Sequence, residues 1–217
     1  MCSSDLEEIL ISRDLFLNEY CESKLHFTTI STLKSVELIK KAKNNQNVTC
    51  SVSAYNLFFD EEALETFDTN LKTLPPIRNK KDVKALIKGL NEGTIDVIVS
   101  DHEPLDIENK KLEFDHAEFG MIGLQTSFSA ANTATKDKVE LEKLIAAISS
   151  NPRTILQLEQ VTIDIDQSAN LTFFDPDLFW TFHENEIVSK SKNTPFIDTD
   201  FIGKPLGTYN KGKLTIN

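Results

Sequence analysis

Gly93-Thr-Ile-Asp-Val-Ile-Val-Ser-Asp101-His102-Glu-Pro-Leu105 decides how the rest of the chain reads. Ile95 to Val99 is apolar and β-branched except at Asp96, and it stops at a polar Ser100-Asp101-His102 cluster. A short apolar run bounded by Gly and polar residues predicts a strand covered on both faces, as in a parallel sheet. In closed parallel sheets the carboxyl ends of the strands carry the chemistry. Asp101 and His102 stand at such an end, where a carboxylate and an imidazole can hold a metal or move a proton. The same pair also suits a strand cap or a hydrogen-bonded couple, and spacing alone leaves both readings open.

Outward from that strand the pattern is regular. Asp82 to Leu90 is an amphipathic helix leading into Gly93. Upstream lie predicted strands at 25–32 and 48–53, with a helix at Ser35 to Lys43 between them and one at Glu7 to Tyr20 before them. Strand, helix, strand, helix, strand is the grammar of a parallel α/β fold. Downstream, Phe119 to Ala131 reads as a helix or helix-loop, and Lys138 to Ser149 and Asn151 to Leu158 read as helical. Beyond them, Val161 to Ile165, Ala169 to Phe174, Phe179 to Phe182 and Lys213 to Ile216 read as short strands. Asp175-Pro176-Asp177 and Asn210-Lys-Gly212 carry strong turn chemistry. The tail aromatics Phe173, Phe174, Phe179, Trp180 and Phe182 are expected to fill its core.

The chain has 217 residues, 40% of them hydrophobic, enough for one sizeable core or one domain plus an appendage. Its net charge is −11, and Lys and Arg are scattered rather than striped, which argues against nucleic acid or an anionic membrane as partner. Three cysteines (Cys2, Cys21 and Cys50) at unrelated spacings fit reduced thiols in a cytoplasm. No stretch approaches the ~20 apolar residues of a membrane span, and no signal peptide opens the chain.

A succession of motifs gives this grammar a family. Pro75-Pro76-Ile-Arg78 is followed by Gly93-Thr-Ile-Asp-Val-Ile-Val-Ser-Asp-His, Phe119-Gly-Met-Ile-Gly-Leu-Gln-Thr126, Asn151-Pro152-Arg153 and a Ser189-Lys-Ser-Lys-Asn-Thr-Pro-Phe196 loop. Together they resemble the C-terminal half of dihydroorotase, in the cyclic-amidohydrolase branch of the metal-dependent amidohydrolases, from about Ile9 to Asn217. The resemblance implies an α/β fold made of the last three strands of a TIM-like (β/α)8 barrel over 7–158. A β-rich tail at 159–217 would join a small β-sandwich. Met1 to Leu6 has no counterpart and is expected to be a non-native leader, the natural protein continuing upstream. Three strands cannot close a barrel, so open edges are expected, to be relieved by that upstream segment or by a partner chain.

The resemblance also assigns roles. Asp101 matches the last metal ligand, which serves in the family as general base. Thr29, in Thr29-Ile-Ser31-Thr32, stands where the family has a ligand His, and a neutral hydroxyl is a poor substitute on zinc. His26, three residues earlier, is read as a packed strand histidine. Leu74 occupies the place of a substrate-binding Asn, Leu105 that of a substrate-contacting His, and Tyr55-Asn56 that of a His-His pair. Each lost polar partner costs a substrate about 1–3 kcal/mol of recognition. What is implied is a dihydroorotase-like protein of pyrimidine biosynthesis that has become a pseudoenzyme or scaffold. It would bind no zinc, and its partner would be aspartate transcarbamoylase or a second copy of itself. The alternative is an active zinc-dependent cyclic amidohydrolase with Asp101 as base and the remaining ligands upstream.

Overall fold

The computed structural model describes residues 3–216; Met1, Cys2 and Asn217 lie outside the described residues, and with them the thiol expectation for Cys2 and part of the expected leader. Helix α1 (Ser3–Cys21) buries Ile11 and Leu15 while Phe16 and Tyr20 stay exposed. It is anchored by one carboxylate. Glu7 accepts from the Ser31 N–H (2.8 Å), the Ser35 hydroxyl (2.6 Å) and Arg78 (3.2 Å), at the amino end of the next helix, where orphan N–H groups favour an anion.

Strand β1 (Leu25–Phe27), helix α2 (Leu33–Ala42) and strand β2 (Val48–Ser53) form the first parallel unit. Thr32 caps α2 by accepting from the Ser35 N–H, and Lys40 and Lys41 lie in its last turn, where a helix favours cations. Helix α3 (Ala54–Phe58) follows β2 directly. After a loop through Pro75-Pro76, helix α4 (Lys80–Asn91), capped by Asn79, returns the chain to β3 (Val97–Val99). The sheet is parallel, in the order β1-β2-β3. Phe27 stands opposite Cys50, and Ser51 opposite Val97. β2 is central, and Cys50, Val52, Ser51 and Ser53 are wholly buried. This is the partial (β/α)8 sheet expected from the sequence.

β1 ends at Phe27 rather than at 32 because Thr29 adopts a left-handed backbone (φ 52°) and its N–H turns to the Ser51 hydroxyl (3.1 Å). Asp96, the odd residue in the apolar run, is satisfied at the amino end of β3. Both its oxygens accept from Lys43 at 2.7 Å, and Oδ2 also accepts from the Cys50 N–H at 2.8 Å. Asn151 donates to the Asp96 carbonyl at 2.9 Å, which explains why an Asn stands just before Pro152.

Helices α5 (Ile107–Lys110), α6 (Ser127–Thr135), α7 (Leu141–Ile148) and α8 (Ser150–Ile155) lead to the tail. Of the two readings for 119–131 the structure has the loop followed by a helix: 119–123 runs in non-helical backbone beside β3 through a bridge between His102 and Met121, and α6 begins at Ser127. The tail is a separate antiparallel sheet, β4 (Asn170–Phe182), β5 (Thr199–Asn210) and β6 (Lys213–Ile216), in that order.

Two expectations for the tail are corrected. Asp175-Pro176-Asp177 does not separate strands; it is an irregularity within β4, where the register with β5 shifts between Asp175 and Phe179. Val161 to Ile165 joins no sheet, and Ile163 and Ile165 are 89% and 85% exposed. The Lys211-Gly212 turn, with φ of 49° and 78°, connects β5 to β6 as its chemistry predicts. The tail aromatics divide. Phe182 is buried, Phe173 and Phe179 face out, and the buried ring shares a core with Phe196, Phe201, Leu57 and Leu144. The tail therefore docks on the barrel half. α6 fastens it, with Ser129 donating to the Gly203 carbonyl (2.7 Å) and Asn132 to that of Ile202 (2.7 Å).

No helix among the described residues is long and apolar enough to cross a membrane. Cys21 and Cys50 are free thiols, the first exposed and the second buried. Burial pushes the Cys50 thiol up to about 12.

Candidate functional site

The carboxyl ends of the three parallel strands bring together residues far apart in sequence. Asp101 follows β3 with a left-handed backbone (φ 46°), and Thr29 holds the matching conformation after β1 (φ 52°). A β-branched residue in this region costs roughly 1–2 kcal/mol. The rim thus keeps a strained backbone at Thr29 although its side chain is a plain hydroxyl.

Between them, Tyr55 opens α3 at the end of β2. Its phenol donates a hydrogen bond to Asp101 Oδ2. Tyr55 is only 2% exposed. Burial raises its pKa well above the ordinary phenol value, and the Asp101 carboxylate raises it further. The Ser53 and Thr73 hydroxyls pull weakly the other way. The phenol is therefore a proton-bearing donor throughout the physiological range, and one oxygen of Asp101 is committed to it.

The neighbouring positions are structural. His102 Nδ1 accepts from the Gly123 and Leu124 N–H groups, both at 3.2 Å, which places the ring proton on Nε2 and ties β3 to the loop before α6. Arg78 donates through Nε to the Ser31 hydroxyl at 2.8 Å and pairs with Glu7; it is buried scaffold. Asn56 donates to the Pro76 carbonyl at 3.1 Å, pinning the Pro-Pro loop to the end of β2. Leu74, joined to Pro75 by a cis bond, is 67% exposed. Leu105 is half-buried, its N–H donating to Asn193 Oδ1 at 3.2 Å.

His26 is not packed, as the sequence reading had it. It lies exposed on the outer strand, with Nδ1 2.8 Å from the Thr49 hydroxyl. Desolvation lowers its pKa, opposed by the Asp96 charge. His183 and Asp198 form an exposed pair of their own (2.8 Å).

Asp101, Thr29 and Tyr55 do not make a zinc site. Zinc takes imidazole, thiolate and carboxylate, whereas this rim offers one carboxylate, one alcohol and one protonated phenol. Among the described residues no group of three or more His, Cys, Asp or Glu side chains could hold a metal ion. Sequence reasoning found Asp101 and Thr29 but missed the bond from Tyr55. The available signal was that Tyr55 and Asp101 both follow buried parallel strands by a few residues, which puts them on the same rim.

The model of the amidohydrolase family matches residues 14–215. The chain is 42% identical over 210 residues to a dihydroorotase of Carboxydothermus hydrogenoformans, covering 95% of this chain and 49% of that protein. A dihydroorotase of Ruminiclostridium cellulolyticum is 39% identical over 209 residues, with the same shares covered. The chain spans about half the length of these curated relatives. In three dimensions it is similar to the L-hydantoinase of Arthrobacter aurescens, with a TM-score of 0.89 and 25% identity over 97% of this chain and 48% of that one. Sheet order, helix succession and these likenesses agree: the chain belongs to the amidohydrolase family, among its dihydroorotase-like members.

Proposed function

We propose that this chain is the carboxyl-terminal part of a dihydroorotase-like protein that has given up catalysis and acts in pyrimidine biosynthesis as a structural partner. One observation carries the reading: at the rim, the position matching a ligand His is Thr29, and the carboxylate of Asp101 is engaged by the chain's own Tyr55 phenol. Leu74 and Leu105 at the two substrate-matching positions support it, because neither offers a hydrogen bond to a polar ring. In this reading Asp101 is vestigial and no zinc is bound. Residues 7–158 form the barrel part and 159–217 the tail. The protein is cytoplasmic in this reading, and because the chain spans about half the length of its curated relatives, the remainder of such a protein is the segment that would complete the barrel. The open strand edges are covered by that segment or by a partner, for which aspartate transcarbamoylase and a second copy are the candidates.

The competing reading is an active, zinc-dependent cyclic amidohydrolase whose other ligands come from the upstream segment, with Asp101 as base. The left-handed backbone kept at Asp101 and Thr29 favours it. Zinc content and dihydroorotate hydrolysis, measured on the full-length gene product beside its Asp101→Ala variant, separate the two. The expected outcome is no stoichiometric zinc and no Asp101-dependent turnover in a folded protein. Bound zinc with turnover abolished by Asp101→Ala would establish the active enzyme instead.

A further inference from the structure

A cavity of about 520 Å³ opens beside Leu105, between the loops that leave the carboxyl ends of β2 and β3 and the 190–193 loop. Four lysines line it: Lys110, Lys111, Lys190 and Lys192, against the single carboxylate of Asp106. In a chain of net charge −11, such a local excess of cations runs against the field of the whole molecule. Lys192 is paired with Glu184 at 3.0 Å, whereas Lys111 and Lys190 have no ion-pair partner among the described residues.

Lys110 is the telling member. It is 6% exposed, and its ammonium donates only to backbone carbonyls, those of Glu118 (2.7 Å), Thr69 (2.9 Å) and Lys72 (3.4 Å). Its hydrogen-bond partners are all neutral, so carboxylates offset its charge only through space. Its pKa is pushed down to about 8, first by burial and then by the Lys72 charge, with Asp68, Glu103 and Glu118 pulling it back.

We propose that this cavity binds a small dianion, a phosphate or a dicarboxylate, held by Lys111 and Lys190 with the Asn70 amide and the Ser191 hydroxyl as neutral donors. Lys110 stands behind them as a buried amine whose protonated form the anion compensates. None of these residues is among those weighed at the metal rim, so the site stands whether or not the barrel is catalytic.

Calorimetric titration with inorganic phosphate, and separately with succinate, at constant ionic strength tests it. The expected result is saturable one-to-one binding of at least one of the two. Lys111→Ala/Lys190→Ala should weaken it by about tenfold or more, and Lys41→Ala, on the remote surface of α2, should leave it unchanged. An anion near Lys110 raises that group's pKa. Binding must therefore take up protons near and above pH 8, and its affinity must rise as pH falls toward about 8 and level off below it; Lys110→Met should abolish the uptake. Phosphate binding without succinate binding would assign a phosphate site, and the reverse a dicarboxylate site. No saturable heat with either anion up to about 10 mM, or an unchanged affinity in Lys111→Ala/Lys190→Ala, would overturn the proposal.

Discussion

Tyr55 and Asp101 lie 46 residues apart, and their bond joins the ends of two neighbouring strands. Because Tyr55 is buried and Asp101 only half so, removing the phenol frees a carboxylate that water can still reach. Tyr55→Phe should therefore cost about 1–2 kcal/mol. In a double-mutant cycle with Asp101→Asn, urea unfolding should give a coupling of about 1 kcal/mol; additive effects would mean that the bond contributes nothing. Thr29 was legible because Thr29-Ile-Ser31-Thr32 resembles the run in which the family carries a ligand His. The bond from Tyr55 was not, because hydrogen bonds across strand ends depend on register, and a single chain does not announce register.

At the scale of elements, what could be read was what repeats. β3 is an apolar, β-branched run, β2 places Val48, Cys50 and Val52 among small hydroxyl residues, and α4 has a clean amphipathic face with an Asn cap, so their places follow from local chemistry. β5 was illegible because Gly203, Pro205 and Gly207 interrupt any alternation. Each is accommodated in three dimensions. Pro205 falls at the register shift opposite Phe174, and Gly203, with φ of 97°, faces the Asn132 amide so closely that a Cβ would lie 2.6 Å from it. Gly203→Ala should cost about 2–3 kcal/mol, from a backbone that Ala resists and from displacing the clamp by Asn132. Gly212→Ala, which also has a positive φ (78°) but open space around it, should cost only about 1 kcal/mol. Equal losses in thermal unfolding would show that crowding at Asn132 is unimportant. The opposite error occurred at Val161 to Ile165, which alternates as a strand should, yet has no strand beside it. Alternation records what a segment is fit to do, and pairing needs a second segment.

For the molecule as a whole, the parallel sheet has outer edges on β1 and β3 with no strand neighbour among the described residues. The tail is held to the barrel part by the rings of Phe182, Phe196 and Phe201 and by α6. The stretch 158–164 that links them has no secondary structure. Thermolysin, which cuts before aliphatic residues, should cleave first within 159–165, and the two fragments should elute together on size exclusion. Separation of the fragments would mean that the shared aromatic core is too weak to hold them. If they stay joined, the peptide bonds of that link are dispensable once folding is done. The chain could then be encoded as two reading frames, divided near Thr162, whose products find each other through three phenylalanine rings.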